Sequence, residues 1–245
     1  MIHALSAQEI VHIWEVGQGQ HPLDQALTML LPVLPETSRH NLALLSIGQR
    51  DAYLLALREQ TFGSRLSSVA ACPGCQEQIE FVLDTTEMGI NPDMQSTGQS
   101  VRVEGLTIQF RPLNSLDLAA VVENHEIELA REILIQRCIV QVLQEGQEVT
   151  VDRGALAEIA IATVAASMEM LDPLAEIWVH LDCPACQRHW QSLFDIVSYL
   201  WTEITAQAMR LLREVHTLAQ VYGWREADIL SMSSVRRQFY LGMVT

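Results

Sequence analysis

Lysine is absent from this chain. All 15 basic residues are arginine, set against 30 Asp and Glu for a formal net charge of −15. Chemistry that needs a lysine amine, such as a lysine Schiff base or the lysine of a phosphate-binding loop, is therefore excluded. The arginines are also scattered, with no run longer than Arg236-Arg237. The local excess of cations that phosphate contacts demand is missing, which disfavours nucleic-acid binding. Apolar runs of the roughly 18 to 20 residues needed for a membrane span are missing as well. The opening "MIHALSAQEIVHIWEV" lacks the basic flank and apolar stretch of a secretory signal. The expectation is a cytoplasmic protein without a membrane partner. Glycine-rich phosphate loops, a Gly-x-Ser-x-Gly elbow and a His-Glu-x-x-His helix are also absent. Glu123, Glu126 and Glu128 read as a solvated helix face, so no enzymatic activity is expected.

Cysteine is scarce, and its use is patterned. Of five cysteines, four fall in two copies of one phrase, "CPGCQEQIEFVLD" from Cys72 and "CPACQRHWQSLFD" from Cys183. A Cys-x-x-Cys corner offers two thiolates spaced for one edge of a tetrahedral ion, and two corners complete a four-sulfur site. A redox dithiol needs only one pair, commonly at a helix N-terminus, whereas both pairs here lead into strand-like residues. Paired disulfides belong to an oxidising compartment. The reading is a structural zinc ion shared by Cys72, Cys75, Cys183 and Cys186, with no open coordination position. Iron is the competing metal; the knuckle form is the common setting of zinc. His180 and His189 flank the second pair, as substitute ligands or as surface strand residues. Cys138 lies on the apolar face of a helix and reads as a buried, inert thiol.

With 245 residues and 49% hydrophobic composition, the chain can bury a sizeable core. "SAQE" at Ser6 is a capping box, and the helix after it carries Ile10, Ile13 and Trp14 to a stop near Gly17. "HPLDQALTMLLPVLPE" reads as a short second helix, and "SIGQRDAYLLALREQTFG" as a third that ends at Gly63. "RLSSVAA" is a poor strand before the first knuckle, and "QIEFVLD" is a good one after it. "NPDMQSTGQS" reads as a polar loop, and "VRVEGLTIQF" alternates around Glu104-Gly105 as a hairpin. From about Ser115 to Gln144 the period is helical, with Ile127, Ala130, Leu134 and Cys138 in line. A further helix is expected in "VDRGALAEIAIATVAASMEML", capped by Asp152, with Leu156, Ile159, Val164 and Leu171 inward. "EIWVHLD" is a strand leading into the second knuckle. Ile196, Leu200, Ile204, Ala208, Leu211, Val215, Leu218 and Tyr222 then mark one long helix. The fold class is α+β and mostly helical: a helical body with a small antiparallel β element built on two CPxC zinc knuckles. Its regions run 1–66, 67–112, 113–172, 173–195 and 196–245, together one compact domain.

The last segment, "YGWREADILSMSSVRRQFYLGMV", is dense in large apolar residues for a chain end. Either it caps the core, or it presents an apolar partner surface anchored by Trp224 and Tyr240. With three further features it gives the chain a likeness: "IGQRDAYLLALREQTFG" before a CPxC knuckle, "FRPLNSLDLAAV" after a hairpin, and a second CPxC. In these the chain resembles the baseplate hub assembly chaperones of T-even-type phage tails and related contractile injection systems. The resemblance runs from about Ile47 onward and does not extend to the first 45 residues. It implies a non-enzymatic chaperone or adaptor that binds a hub or spike protein, or a permanent subunit of the particle. A zinc-ribbon nucleic-acid or transcription factor is the reading from another class; the acidic surroundings "CPGCQEQIEFVLDTTE" argue against it.

Overall fold

The computed structural model describes residues 2–90, 98–149 and 158–244. Helix α1 (Ala7–Gly17) opens on the expected capping box: Ser6 accepts from the Glu9 N–H while the Glu9 carboxylate accepts from the Ser6 N–H. Helix α2 (Pro22–Leu30) places its proline where no intrahelical donor is lost. After it come a single-turn helix α3 (Arg39–Ala43) and the longer α4 (Ile47–Phe62), capped by Ser46. Hairpin β1 (Arg65–Ala71)–β2 (Gln78–Asp84) holds the first CPxC at its tip. Next are β3 (Gln99–Val103), β4 (Leu106–Phe110), α5 (Ser115–Ala119), α6 (Ile127–Cys138), β5 (Ile139–Gln144), β6 (Gln147–Glu148) and α7 (Glu158–Leu171). A second hairpin, β7 (Ile177–Asp182)–β8 (His189–Phe194), leads into α8 (Ile196–Tyr222), α9 (Glu226–Ser231) and α10 (Ser234–Leu241). No helix among the described residues is long and apolar enough to cross a membrane.

The main core forms around α8. Its residues Ile196, Leu200, Ile204, Ala208, Leu211, Val215 and Leu218 are all buried, as their spacing requires, against α1, α2 and α4. Both hairpins root in this core through Leu66 and Phe194. A second cluster lies between the two hairpins in the chain. There, α6 and α7 cover one face of the antiparallel sheet β3-β4-β5-β6 and bury Val103, Ile108, Phe110, Ile135, Ile139, Val142, Ala160 and Val164.

The fold class is as expected, mostly helical with small antiparallel sheets; among the described residues two sheets are the knuckle hairpins and a third, four-stranded one stands apart from them. Several finer expectations need correcting. The helical stretch expected to reach Gln144 is broken after α5 and ends at Cys138; Ile139–Gln144 is strand β5. "IVQVLQ" is β-branched and alternating, and it completes the sheet that β3 and β4 begin. Ile127 is 81% exposed and Ile159 57% exposed, so neither faces inward. Tertiary packing here selects the face that meets the sheet, through Ile135 and Val164. "RLSSVAA" is a full strand, because β2 supplies a continuous antiparallel partner along it. Asp152 and Leu156, like most of "NPDMQSTGQS", lie outside the described residues.

Buried carboxylates tie the second cluster to the first. Asp172, just after α7, reaches the N-terminus of α4 and accepts from the Gly48 N–H at 2.9 Å and the Ser46 hydroxyl at 3.0 Å. A carboxylate there also meets the positive end of the helix dipole. Asp117 is fully buried and accepts from both Arg111 Nη atoms at 2.6 and 3.0 Å, from Arg137 Nε at 2.9 Å and from the Asn114 N–H at 3.1 Å. Burial opposes its ionisation, but Arg111, Asn114 and Arg137 outweigh that and hold its pKa below the usual carboxylate value. The stretch "FRPLNSLDLAAV" thus spells out a charge network with a helix cap inside it. At Gly48 there is no room for a side chain: a Cβ would lie 2.3 Å from Asp172 Oδ1 and 2.9 Å from the Ala175 nitrogen. Gly48→Ala is expected to cost about 1 to 3 kcal/mol in urea unfolding. Combining it with Asp172→Ala should cost less than the two single losses added together. Full additivity would show that the clash does not exist.

Candidate metal centre

Each knuckle is the tip of a hairpin, and the two tips are built alike. In the first, the Cys72 N–H donates to the Glu77 carbonyl at 2.8 Å and the Gln76 N–H to the Cys72 carbonyl at 2.9 Å. In the second, the Cys183 N–H donates to the Arg188 carbonyl and the Gln187 N–H to the Cys183 carbonyl, both at 2.9 Å. The glutamine that follows each pair closes the knuckle turn in the same conformation: Gln76 and Gln187 stand in the left-handed region, at φ of 63° and 59°. Non-glycine residues adopt that conformation at a cost. Gly74 lets the second knuckle approach, because a Cβ there would come within 3.1 Å of the Arg188 side chain.

The hairpins meet tip to tip. All four sulfurs, of Cys72, Cys75, Cys183 and Cys186, lie within 4.8 Å of one another and could hold a metal ion. Two approaches cross between the knuckles, Cys72 to Cys186 at 3.6 Å and Cys75 to Cys183 at 3.5 Å. A tetrahedral ion with metal–sulfur bonds of about 2.3 Å needs an edge of about 3.8 Å, so the donors stand close to a coordinating arrangement. Cys72 and Cys183 are buried, while Cys75 and Cys186 are exposed. Burial opposes ionisation of Cys72, but N–H groups of Gly74 and Cys75 and the neighbouring thiols bring it down to about 6. For Cys75 the Glu77 backbone favours the thiolate, yet Cys183 and Cys186 push the thiol up to about 12. Four crowded sulfurs resist taking on four charges; a bound divalent cation is what lets a coordinating thiol deprotonate outright.

The flanking histidines stay outside this cluster. His180 hydrogen-bonds Gln191 across the β7–β8 pair, and His189 bonds Asp182, both on the exposed face. Cys138 is buried in the second cluster's helix, and burial, with the charge of Asp117, pushes its thiol up to about 12. It is a poor nucleophile as placed. Trp224 and Tyr240 are half-buried against the main core. Trp224 stacks on Tyr222 at 4.4 Å between ring centroids, and Tyr240 meets Trp224 edge-on at 4.8 Å. Buried Glu214 on α8 receives Arg237 at 2.9 Å and holds α10 down. The exposed apolar groups of the segment are Val235, Phe239 and Met243, which the sequence pattern did not separate from the packed ones.

Two predictions follow from this geometry. Purified reduced protein should carry one metal ion per chain, with an X-ray absorption shell of sulfur only at about 2.3 Å. Cys183→Ser should release the metal and lower the melting temperature sharply, whereas Cys138→Ala should cost only about 1 kcal/mol; equal losses would contradict the assignment. At the C-terminus, Trp224→Ala should lower the melting temperature and Phe239→Ala should leave it unchanged. The reverse order would place Phe239, not Trp224, in the cap.

A protein-family model described as "T4 bacteriophage base plate protein" matches residues 17–201. No curated protein and no solved structure matches the chain. The matched stretch takes in both knuckles, α4 and "FRPLNSLDLAAV". It begins earlier than the resemblance near Ile47 suggested, and it stops short of the "YGW" segment that contributed to that resemblance. Covering 201 − 17 + 1 = 185 of the 245 residues, it shows that the chain belongs to the T4 bacteriophage base plate protein family.

Proposed function

We propose that this baseplate-family chain is a non-enzymatic assembly chaperone or adaptor for the hub or spike of a phage tail or related contractile injection particle. Its shape is held by a structural zinc ion on Cys72, Cys75, Cys183 and Cys186. The observation that carries the zinc reading is the convergence of four sulfurs from two hairpins more than a hundred residues apart in the chain. An all-sulfur donor set favours a soft or borderline cation such as zinc over magnesium or calcium. Four protein ligands leave no position for substrate, so the ion would organise the fold and not catalyse. Arg188, packed against Gly74 beside the cluster, would offset part of the net negative charge of such a site.

A binding role fits the chain's electrostatics. Part of its arginine is engaged by buried or half-buried carboxylates: Arg58 by Glu203, Arg111 and Arg137 by Asp117, and Arg237 by Glu214. The net charge of −15 leaves an acidic excess, which would steer encounter and orientation with a protein partner and repel nucleic acid. A permanent structural subunit would need the same features, and only the particle can separate the two roles. Quantitative mass spectrometry of assembly precursors and of finished particles makes the comparison. The chaperone reading expects the chain beside the hub protein in precursors and its loss from mature particles. Stoichiometric retention would make it a permanent subunit, and absence from both pools would end the baseplate-hub reading altogether.

A further inference from the structure

A cavity of 350 Å³ lies away from the four-cysteine cluster, in a groove between α2 and α5. Its floor and walls are apolar, formed by Leu23, Leu27, Ala43, Leu116, Ala119 and Val122. The charged residues that line it are Asp24 and Glu123, with His21 beside them; no arginine lines it. Asp24 is already engaged by Arg39 at 2.8 Å. Glu123 is exposed on the loop after α5 and is followed by exposed Glu126, and among the described residues neither has an ion-pair partner. The groove is therefore greasy at the bottom and negative at one rim.

That combination points to a kind of occupant. A small-molecule site gathers polar groups inside to orient its ligand. Here the one polar side chain in the floor, Ser115, is already occupied by Arg50 at 3.2 Å, and the polar groups otherwise sit at the rim. Two short helices with an apolar cleft between them leave the place of a third helix open, as when an amphipathic helix lays its apolar face in a groove. A second copy of this chain is a poor candidate, because a net charge of −15 sets like charges against each other. We infer that the α2–α5 groove binds an amphipathic segment of another protein, with one or two large apolar side chains in the cleft and Lys or Arg facing Glu123 and Glu126. This deepens the adaptor reading by naming the partner's chemistry, and it is independent of the metal.

The test uses the full-length protein and two synthetic helical peptides of about 14 residues, each with leucines at i, i+4 and i+7. One carries lysines on the flanks of the apolar stripe, the other glutamates at the same positions. Fluorescence anisotropy should show binding of the lysine peptide only, weakening as salt rises from about 0.05 to about 0.5 M. Ala119→Trp, which fills the cleft, and Glu123→Lys, which reverses the rim, should each weaken it by about tenfold or more. Glu123 is exposed, so its variant reports even if Ala119→Trp does not fold. Equal binding of both peptides, no binding of either, or indifference to both variants overturns the proposal. So does sedimentation showing that wild-type chains self-associate through this face and that Glu123→Lys separates them. A small molecule found in the cleft of purified protein would overturn it too. Failure of the peptides leaves the hub reading standing, since that is decided by particle composition.

Discussion

The contact between two hairpin tips constrains this molecule most. Cys72 meets Cys186 across 114 residues of chain, and Cys75 meets Cys183 across 108. Closing loops of that length is entropically unfavourable, although the cost grows only slowly with length. Neither β1–β2 nor β7–β8 is more than two strands wide, and an isolated two-stranded hairpin is marginal in water. Core packing of Leu66 and Phe194 fixes the hairpin bases; the tips have little apolar cover, with Cys75 and Cys186 exposed. A metal ion held by the four cysteines would supply the missing attraction, because its binding energy appears as folding energy when the site exists only in the folded chain. The whole sheet β3-β4-β5-β6, with α6 and α7, hangs between the two halves of this clip.

The absence of lysine has a structural counterpart. The fold repeatedly asks for a planar cation that can reach two oxygens at once. Arg58 grips both oxygens of Glu203, through Nε at 3.0 Å and Nη2 at 2.8 Å. Arg111 grips both oxygens of Asp117. Lysine, a compact point charge on a flexible stem, does not reproduce such forks. These pairs are half-shielded or buried and specify which element sits where more than they add net stability. The acidic excess of the chain is in carboxylates beyond those these arginines engage.

Legibility in the sequence followed periodicity. Helix α8 was legible because its seven inward positions repeat every three or four residues over a long span, and one face of it meets one core. The β3–β4 hairpin was legible from alternation around Glu104-Gly105, and the convergence of the four cysteines from a repeated phrase. What escaped was decided by partners distant in sequence. Strand β1 is made of Ser and Ala as much as Val, and only pairing with β2 makes it a strand. Ile139 to Gln144 continues an apolar pattern that helix and strand share, and the neighbouring edge of β4 settles it. The bond from Gly48 to Asp172 joins residues 124 apart, and a lone glycine or aspartate carries no periodic signal. Gln76 and Gln187 were visible as a repeated letter; the left-handed turn they share needed backbone angles.

The same polar joints that tie the two clusters together also set the groove between α2 and α5. Helix α5 is only five residues long and has little apolar area with which to fix itself. Its N-terminal approach is held by a backbone bond from the Ile47 N–H to the Leu113 carbonyl at 2.9 Å and by the Ser46–Asn114 bridge. Arg50 reaches Ser115 from α4, and Asn114 with Asp117 closes a capping box on the helix itself. Directional bonds of this kind tolerate little sliding, so the two walls of the groove are fixed before anything enters it. A partner segment docking there would not have to order α5 first, which removes one of the larger costs of association. The buried polar residues at the start of α4 thus join the part of the chain that carries the four-cysteine cluster to the α2–α5 groove.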